Sequence, residues 1–218
     1  LRPHVDPEQV GNRAEAAMAD ERGHPGALRI ARALGLPARG EREARQVLAR
    51  LAAWERRGFR YEGAEASFDL VLRAVSVRRR EYFRVVAYRV LDVHHDRRGF
   101  TEASVEVAIG REHVHTAAYG VGPVNALDRA LRRALAHHYP ELGDMKLVQS
   151  RSKSLPTDVG TAGSVRVLVD SADDRDRWGT AGVSDNLLDA CCQALVDAIA
   201  YKLAKDDVAP RARGAGAR

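Results

Sequence analysis

The stretch HVHTAAYGVGPVNALDRALRRAL, residues His113–Leu135, decides the fold, because in it a strand pattern changes to a helix pattern across a glycine-rich turn. Gly120 and Gly122 tolerate backbone angles that other residues avoid, and Pro123 has its φ angle preset for a first helical position. A turn of this kind directs free backbone N–H groups toward whatever lies before the helix. It therefore favours a carboxylate or another helix end at that place.

A weaker copy of this stretch, WGTAGVSDNLLDACCQALVDAI, follows at Trp178–Ile199. Gly122 and Ser184 are the candidate N-cap residues of the two helices, and they lie 62 positions apart. Each copy closes a run of three segments with strand-like alternation. The sequence therefore predicts an internal repeat of two βββα units.

The units are predicted from a change of hydrophobic period, from 3.6 before residue 82 to 2 after it. Each predicted three-stranded sheet has one apolar face and one helix to cover it, which is too little core for a stable unit. We therefore expect the two units to pack on each other about a pseudo-twofold axis. The predicted strands are Tyr82–Val93, Ala103–Ile109, Arg111–Tyr119, Met145–Leu155, Gly163–Asp170 and Arg175–Gly182, and the predicted closing helices are Val124–His138 and Asp185–Leu203.

The N-terminal part is predicted to be a helical arm that follows an irregular segment, residues 1–25. Its helices are Ala27–Leu34, Glu41–Arg57 and Ala64–Val75, each with an apolar stripe at helical spacing. The predicted fold class is therefore α+β, an N-terminal helical linker arm followed by two packed βββα repeats. The predicted division is a linker over residues 1–78, a repeat domain over 79–205 with units 81–140 and 144–204, and a disordered tail over 206–218.

Composition argues against nucleic acid and membrane as partners. The chain has 218 residues and a formal charge of +5, yet its 35 basic residues stand against 30 acidic ones. Its basic clusters are Arg78–Arg80 and the tail after Pro210, and no aromatic residues alternate with the tail. No run of 18 apolar residues is present, and residues 1–20 lack the apolar segment of a secretion signal. We therefore expect a cytoplasmic protein.

No catalytic motif is found in the sequence, which has no G-x-S-x-G motif, no phosphate-binding loop and no dinucleotide fingerprint. His113 and His115 would point to the same side of a strand, as a metal pair must, but no third ligand is arranged nearby. We interpret them as histidines on a sheet face and assign no metal, cofactor or catalytic residue. Cys191 and Cys192 are predicted to be reduced core residues.

Two further histidine pairs have a structural interpretation. His94–His95 falls at a predicted strand end. His137–His138 falls at a predicted helix C-terminus, where a positive charge suits the helix dipole.

The GVGPVNAL core of the opening stretch resembles the allosteric (dimerisation) domain of the 2-isopropylmalate synthase and citramalate synthase family. The segment GVSDNLLDACCQALVDAIAYKL, residues 182–203, is similar to the closing helix of that domain. Two upstream segments, HVDPEQVGN (His4–Asn12) and FRYEGAEASFDLVLRA (Phe59–Ala74), resemble the linker of the citramalate-synthase-like branch. The resemblance extends from residue 3 to residue 205.

The resemblance implies a parent reaction that condenses acetyl-CoA with a 2-oxo acid, either pyruvate or 2-oxoisovalerate. In that family a (β/α)₈ barrel carries the metal, the acyl-CoA site and the catalytic base. A barrel of about 250 residues does not fit in this chain, so the chain alone is expected to be inactive. His4 is the one candidate for a linker residue that covers a partner's active site. The linker departs from the family pattern at Ala19–Gly26, where ADERGHPG replaces a motif like SELSGRSN.

The resemblance also implies a homodimer that binds leucine or isoleucine as a feedback effector, between the paired repeats and the dimer interface. Helix-start N–H groups would bind the carboxylate, and Asp185 or Asp128 would bind the ammonium group. The alternative is that both turns only cap their helices and pack the core. The predicted effector-binding residues are Gly120, Val121, Gly122, Pro123, Val124, Asn125, Ser184, Asp185, Asn186 and Leu188.

The sequence is thus interpreted as the linker and regulatory portion of a 2-isopropylmalate or citramalate synthase type of acyltransferase. It would be a fragment, a separately encoded subunit with a catalytic barrel partner, or a stand-alone relic. A free-standing amino-acid-sensing or dimerisation module with no synthase partner is the alternative. The identity of the sensed amino acid stays open.

Overall fold

A computed structural model describes residues 31–32, 38–60, 62–76, 81–95, 98–155 and 163–209. The predicted irregular segment, His4, the Ala19–Gly26 motif, the side chains of the His94–His95 pair and residues 210–218 of the tail lie outside the described part. Of the predicted helix Ala27–Leu34, only residues 31–32 are described, and they are helical.

The described chain is α+β and contains two βββα units, as predicted. Each sheet is an antiparallel meander in sequence order, β1-β2-β3 in the first unit (sheet A) and β4-β5-β6 in the second (sheet B). None of the described helices combines the length and the apolar character needed to cross a bilayer. The elements are α1 (Glu41–Arg56), α2 (Glu65–Ser76), β1 (Arg84–His95), β2 (Arg98–Ile109), β3 (Glu112–Gly120), α3 (Pro123–Leu135), a 3₁₀ helix (Pro140–Asp144), β4 (Lys146–Ser154), β5 (Val165–Ala172), β6 (Arg177–Ser184) and α4 (Leu187–Lys205).

The second unit differs from the prediction by a uniform shift. Strands β5 and β6 and helix α4 each begin and end two residues later than predicted. Strand β6 continues through Val183 and Ser184, which pair with Arg166 and Val165 of β5, and this extension delays the helix.

The repeat period is 64 residues, so the predicted 62 is wrong. In the first unit the hydroxyl of Thr116 donates to the carbonyl of Ala130 at 2.9 Å. In the second unit the hydroxyl of Thr180 donates to the carbonyl of Ala194 at 2.8 Å. These equivalent hydrogen bonds tie each closing helix to the last strand of its own sheet.

The two units share one hydrophobic core. Helix α3 packs on β2 and β3, helix α4 packs on β5 and β6, and the two helices contact each other. Small residues at every fourth position let each helix approach its sheet closely, and these positions are again 64 apart. The buried alanines are Ala126, Ala130 and Ala134 in α3 and Ala190, Ala194 and Ala198 in α4.

The described helical arm packs on β6, at the edge of sheet B, and no described helix covers the outer face of sheet A. The N–H of Gly179 on β6 donates to Glu65 Oε1 of α2 at 2.7 Å, and the N–H of Ala181 donates to Ser67 Oγ at 3.0 Å. A Cβ atom on Gly179 would overlap the carbonyl of Gly63, so the arm fits only against glycine there. The arm therefore breaks the symmetry of the repeats.

A buried ion cluster joins three segments around Lys202, whose side chain is 1 % exposed. Its Nζ lies 2.7 Å from Asp173 in the β5–β6 turn, 3.0 Å from Asp144 at the end of the 3₁₀ helix, and 2.9 Å from Asp206 after α4. Burial by itself lowers the pKa of Lys202, but the three carboxylates outweigh burial and raise it. Likewise burial would raise the pKa of Asp173, yet hydrogen bonds from Lys202 and Lys205 hold it below its usual range.

We predict that Lys202→Met lowers the free energy of unfolding by about 1–3 kcal/mol at neutral pH, because it removes one of the two lysines that bind the buried carboxylate of Asp173 and leaves Lys205 as the other. A carboxylate with a lowered folded pKa stabilises the fold above its unfolded pKa of about 3.9 and loses that contribution as the pH falls toward the folded value. The deficit of the variant should therefore shrink in acid. Urea titrations across this pH range measure it. The exposed control Lys153→Met should stay within about 0.5 kcal/mol of the parent, and an equal loss there would contradict the cluster's role.

We predict that Gly182→Ala destabilises the second unit. A Cβ atom at Gly182 would overlap the carbonyl oxygen of Ala190 and lie 3.0 Å from the nitrogen of Ala194, both in the backbone of α4. The helix must then move off the sheet, at a cost of about 1–3 kcal/mol. Thermal unfolding measures the change. Gly143→Ala is the matched control, because a Cβ there meets no atom within 4 Å; equal effects in the two variants would rule out this explanation.

Candidate functional site

The first predicted turn joins β3 to α3 and leaves its helix start without a side-chain cap. Gly122 is the N-cap in an extended conformation, Pro123 is the first helical residue, and no side chain accepts a hydrogen bond from the first turn of the helix. The N–H groups of Val124 and Asn125 are therefore available to a ligand among the described contacts. Gly120 is buried, and a Cβ there would lie 2.8 Å from the Cα of Ala126.

The second predicted turn has a different cap from the predicted one. Asn186, not Ser184, is the N-cap of α4, and its side-chain oxygen accepts from the N–H of Leu188 at 2.8 Å and of Asp189 at 3.4 Å. Ser184 ends β6, and its hydroxyl accepts from the N–H of Asn186 at 3.2 Å. Because Asn186 already occupies the helix-start donors, the first turn is the better place for a carboxylate.

One of the two predicted ammonium acceptors is wrong. Asp128 is buried, and both of its oxygens accept hydrogen bonds from the guanidinium of Arg132, so its charge is already compensated. Arg132 also donates to the carbonyl of Met145 at 2.8 Å and so connects α3 to the start of the second unit. Asp185 is exposed and accepts from its neighbour Ser184. It stays the candidate for the ammonium group.

The apolar side chains among the predicted effector-binding residues are unevenly buried. Val124 and Leu188 are half-buried, whereas Val121 is 94 % exposed between the two glycines. The backbone N–H of Val121 donates to Asn125 Oδ1 at 3.4 Å. In a single molecule of this protein the first turn is therefore an open surface. It becomes a closed pocket only if another group covers it.

Two cavities are lined by described residues, and neither includes a residue of the two turns. The larger, about 1090 Å³, lies between β1, α2 and α4. The smaller, about 460 Å³, lies between the edge of β3 and α3. The sequence patterns indicated neither cavity. The larger one joins elements that lie far apart in the chain, whereas the smaller one joins the consecutive elements β2, β3 and α3.

In the larger cavity the hydroxyl of Tyr88 on β1 donates to the carboxylate of Asp189 on α4. Burial, and next the bond to Asp189, raise the pKa of Tyr88, so the phenol stays protonated. Cys192 lines the same cavity, and burial raises the pKa of both Cys191 and Cys192 to about 11. Both cysteines are buried and free, which confirms their predicted core positions.

The histidines have structural partners. His113 and His115 lie on the exposed face of sheet A, and His113 Nδ1 is 2.7 Å from Glu106 Oε1. His138 is buried after α3, with its Nε2 3.0 Å from Glu112 Oε2. Within the described ranges, no three His, Cys, Asp or Glu side chains are grouped as metal ligands.

Comparison with known proteins identifies relatives over nearly the whole chain. It is similar to (R)-citramalate synthases of Geobacter sulfurreducens, with 41% identity over 207 residues, and of Aquifex aeolicus, with 35% identity over 207 residues. It is also 38% identical over 213 residues to the (R)-citramalate synthase of Streptomyces coelicolor. These alignments cover 94%, 94% and 96% of this chain but 39%, 39% and 40% of the relatives. The chain thus spans about two fifths of the length of these curated relatives.

A sequence family provides the more specific comparison. The pattern of the LeuA allosteric (dimerisation) domain matches residues 62–203, a range that begins just before α2 and includes both βββα units. This match covers most of the chain, and the chain therefore belongs to the family of the LeuA allosteric (dimerisation) domain.

Proposed function

We propose that this chain is the regulatory and dimerisation portion of a citramalate synthase or 2-isopropylmalate synthase type of acyltransferase, and that it binds leucine or isoleucine as a feedback effector. The uncapped helix start at Gly120–Asn125 is the observation that carries the proposal. Family membership and the (R)-citramalate synthase relatives support it. The proposal includes the predicted division into a linker over residues 1–78 and a regulatory domain over 79–205.

The first turn offers the chemistry that a branched-chain amino acid requires. The N–H groups of Val124 and Asn125, at the positive end of the α3 dipole, suit a carboxylate. Gly122 leaves open space beside them, since a Cβ there would meet no atom within 4 Å. Val121 and Val124 offer apolar contacts for a branched side chain. The exposed second turn, with Ser184, Asp185 and Asn186, is the proposed ammonium side.

A second copy of the chain is the proposed cover for this open turn. Exposed apolar side chains lie beside it on the outer face of sheet A, where Phe100 and Tyr119 stack edge to face at 5.3 Å. Leu91 is 45 % exposed, Phe100 41 % and Tyr119 60 %. We call these three residues together with Val121 the apolar patch. Contiguous patches of this kind mark interaction sites, and a homodimer through the patch would cover the turn as well.

The parent activity is part of the same proposal. The three fifths of the relatives' length that this chain does not match would accommodate a catalytic barrel that condenses acetyl-CoA with a 2-oxo acid. This chain alone is proposed to be inactive and cytoplasmic. A free-standing sensing or dimerisation module is the second candidate, and a neighbouring reading frame that encodes only a barrel would argue against it.

We predict that leucine or isoleucine raises the melting temperature of the chain, because a ligand that binds only the folded state stabilises it. At 100 times its Kd such a ligand adds about 2.7 kcal/mol, which corresponds to roughly 5–10 °C in a chain of this size. Thermal-shift series with leucine, isoleucine and valine, followed by calorimetry, measure the effect and identify the preferred amino acid.

Gly122→Ala is the variant that tests the turn, because the added methyl group finds open space in the fold but would occupy the ligand's approach. It should keep the parent melting temperature without ligand and lose the shift with ligand. Gly143→Ala should behave like the parent in both conditions. If none of the three amino acids changes the melting temperature, the effector proposal is wrong. If Gly122→Ala keeps the full ligand-induced shift, the effector binds at another place than this turn.

We predict that the chain is a homodimer whose interface buries well above ~1,000 Å², and that Phe100→Arg converts it to a monomer. In the variant each of the two copies would bury an unpaired guanidinium group in the interface, which strongly destabilises the dimer. Light scattering measures the mass against the chain mass of 23.9 kDa. Val148→Arg, at a comparably exposed position on β4, should stay dimeric. A parent chain that is monomeric at every concentration would disprove the dimer, whereas a dimeric Phe100→Arg variant would disprove only this interface.

A further inference from the structure

The smaller cavity is a groove along the outer edge of β3, and its chemistry is unlike that of the two turns. Its volume is about 460 Å³. Two arginines of α3 form one wall, the strand edge forms the other, and a single acid lies at the rim. The lining residues are Glu102, Ala117, Ala118, Tyr119, Arg129 and Arg133.

The two arginines are held in parallel by the strand edge. Arg129 Nη1 donates to the carbonyl of Tyr119 at 3.2 Å, and Arg133 Nη1 donates to the carbonyl of Ala117 at 3.2 Å. The arginines are four residues apart on one helix face, and the two carbonyls are two residues apart on one strand edge. Each guanidinium has five N–H donors and uses one of them here. Neither forms an ion pair with a carboxylate of the described residues.

The same strand edge also offers backbone donors. In an antiparallel strand the N–H and the C=O of one residue point to the same side, so the N–H groups of Ala117 and Tyr119 point into the groove. Their equivalents 64 residues later, Ala181 and Val183, confirm this direction, because their N–H groups donate to side chains, Ser67 Oγ and Gln193 Oε1, instead of to a strand.

The second unit provides an internal precedent for the ligand. On its equivalent edge the N–H of Gly179 donates to a carboxylate oxygen, Oε1 of Glu65. On β3 the position of Gly179 is occupied by His115, whose side chain takes the space in which the backbone of Gly63 lies on β6. A helical arm therefore cannot dock on β3 as it does on β6, and only a small group fits.

The balance of donors and acceptors selects the class of ligand. A further β-strand needs both N–H and C=O partners, but the carbonyls of Ala117 and Tyr119 are already occupied by guanidinium groups. The groups of this strand edge that stay available are therefore N–H donors, and they lie next to two guanidinium groups without an acidic partner. A carboxylate is the acceptor whose geometry matches a guanidinium group. The acid at the rim, Glu102, disfavours anions of multiple charge. A carboxylate with one negative charge and a short apolar body against the ring of Tyr119 fits best.

We propose that this groove is a carboxylate-binding site, in which Arg129, Arg133 and the N–H groups of Ala117 and Tyr119 bind one carboxylate group. The carboxylate belongs either to a small free acid or to an Asp or Glu side chain of a partner protein. The site has no residue in common with the two turns and shares Tyr119 with the apolar patch, so it is independent of the proposed effector turns but not of the proposed dimer surface.

Amide NMR titration of the full chain tests the proposal with three probes. Acetate and isovalerate represent free acids, and N-acetylglutamate α-amide represents a protein side chain. None of them carries an ammonium group, so the result is independent of the leucine and isoleucine test. Saturable shifts of the Ala117 and Tyr119 amides are expected with at least one probe. A response to the two acids alone indicates a free ligand, and a stronger response to the glutamate compound indicates a partner protein.

The double variant Arg129→Gln, Arg133→Gln should weaken binding at least about tenfold, because each lost charge-assisted hydrogen bond exceeds that factor. Glutamine can still donate to the strand carbonyls, and unchanged spectra elsewhere show that the fold is intact. Arg111→Gln, an exposed change at the other end of β3, should bind like the parent. The proposal is overturned if no probe gives a saturable shift, or if the double variant binds as tightly as the parent.

Discussion

The contact between α3 and α4 inside one common core is the constraint on which the rest of the molecule depends. A single meander of three strands with one helix has too little apolar surface to be stable, so each unit is completed by the other. Alanines at every fourth position bring each helix close to its sheet, and the threonine hydroxyls of Thr116 and Thr180 fix that approach in both units. The strand ends and helix starts where the predicted site lies are positioned by this packing.

The repeats are similar in fold but differ at every place where a ligand or partner could bind. Asn186 caps the second helix, while the first begins at Gly122 without a side-chain cap. The described arm covers the edge of β6, while no described helix of the arm contacts β3 or the outer face of sheet A. Lys202 belongs to the second unit and connects it to the segment between the two units. The second unit thus carries the arm contacts and the buried ion cluster, whereas the surfaces proposed for binding lie mainly on the first unit.

The sequence was sufficient for the architecture and insufficient for its details. Changes of hydrophobic period gave the order of the described strands and α-helices, though not the 3₁₀ helix Pro140–Asp144, because a strand or helix face must be buried regardless of partner. The N-cap of α4 was misassigned because pairing with β5 keeps Ser184 in the sheet, a tertiary effect that no local signal reports. Asp128 was predicted to bind the ammonium group, but Arg132, one helical turn later, already forms an ion pair with it. Asp144, Asp173 and Asp206 are distant in sequence, and no periodicity relates them to Lys202.

The burial of Lys202 also determines where the molecule can be labelled. The chain has four lysines, and two of them, Lys202 and Lys205, hold buried or mostly covered ammonium groups within the ion cluster. The other two, Lys146 and Lys153, are exposed, and both lie on β4. Among the lysine side chains, amine-reactive dyes, cross-linkers and surface-coupling reagents will therefore attach along one strand of sheet B, away from the outer face of sheet A.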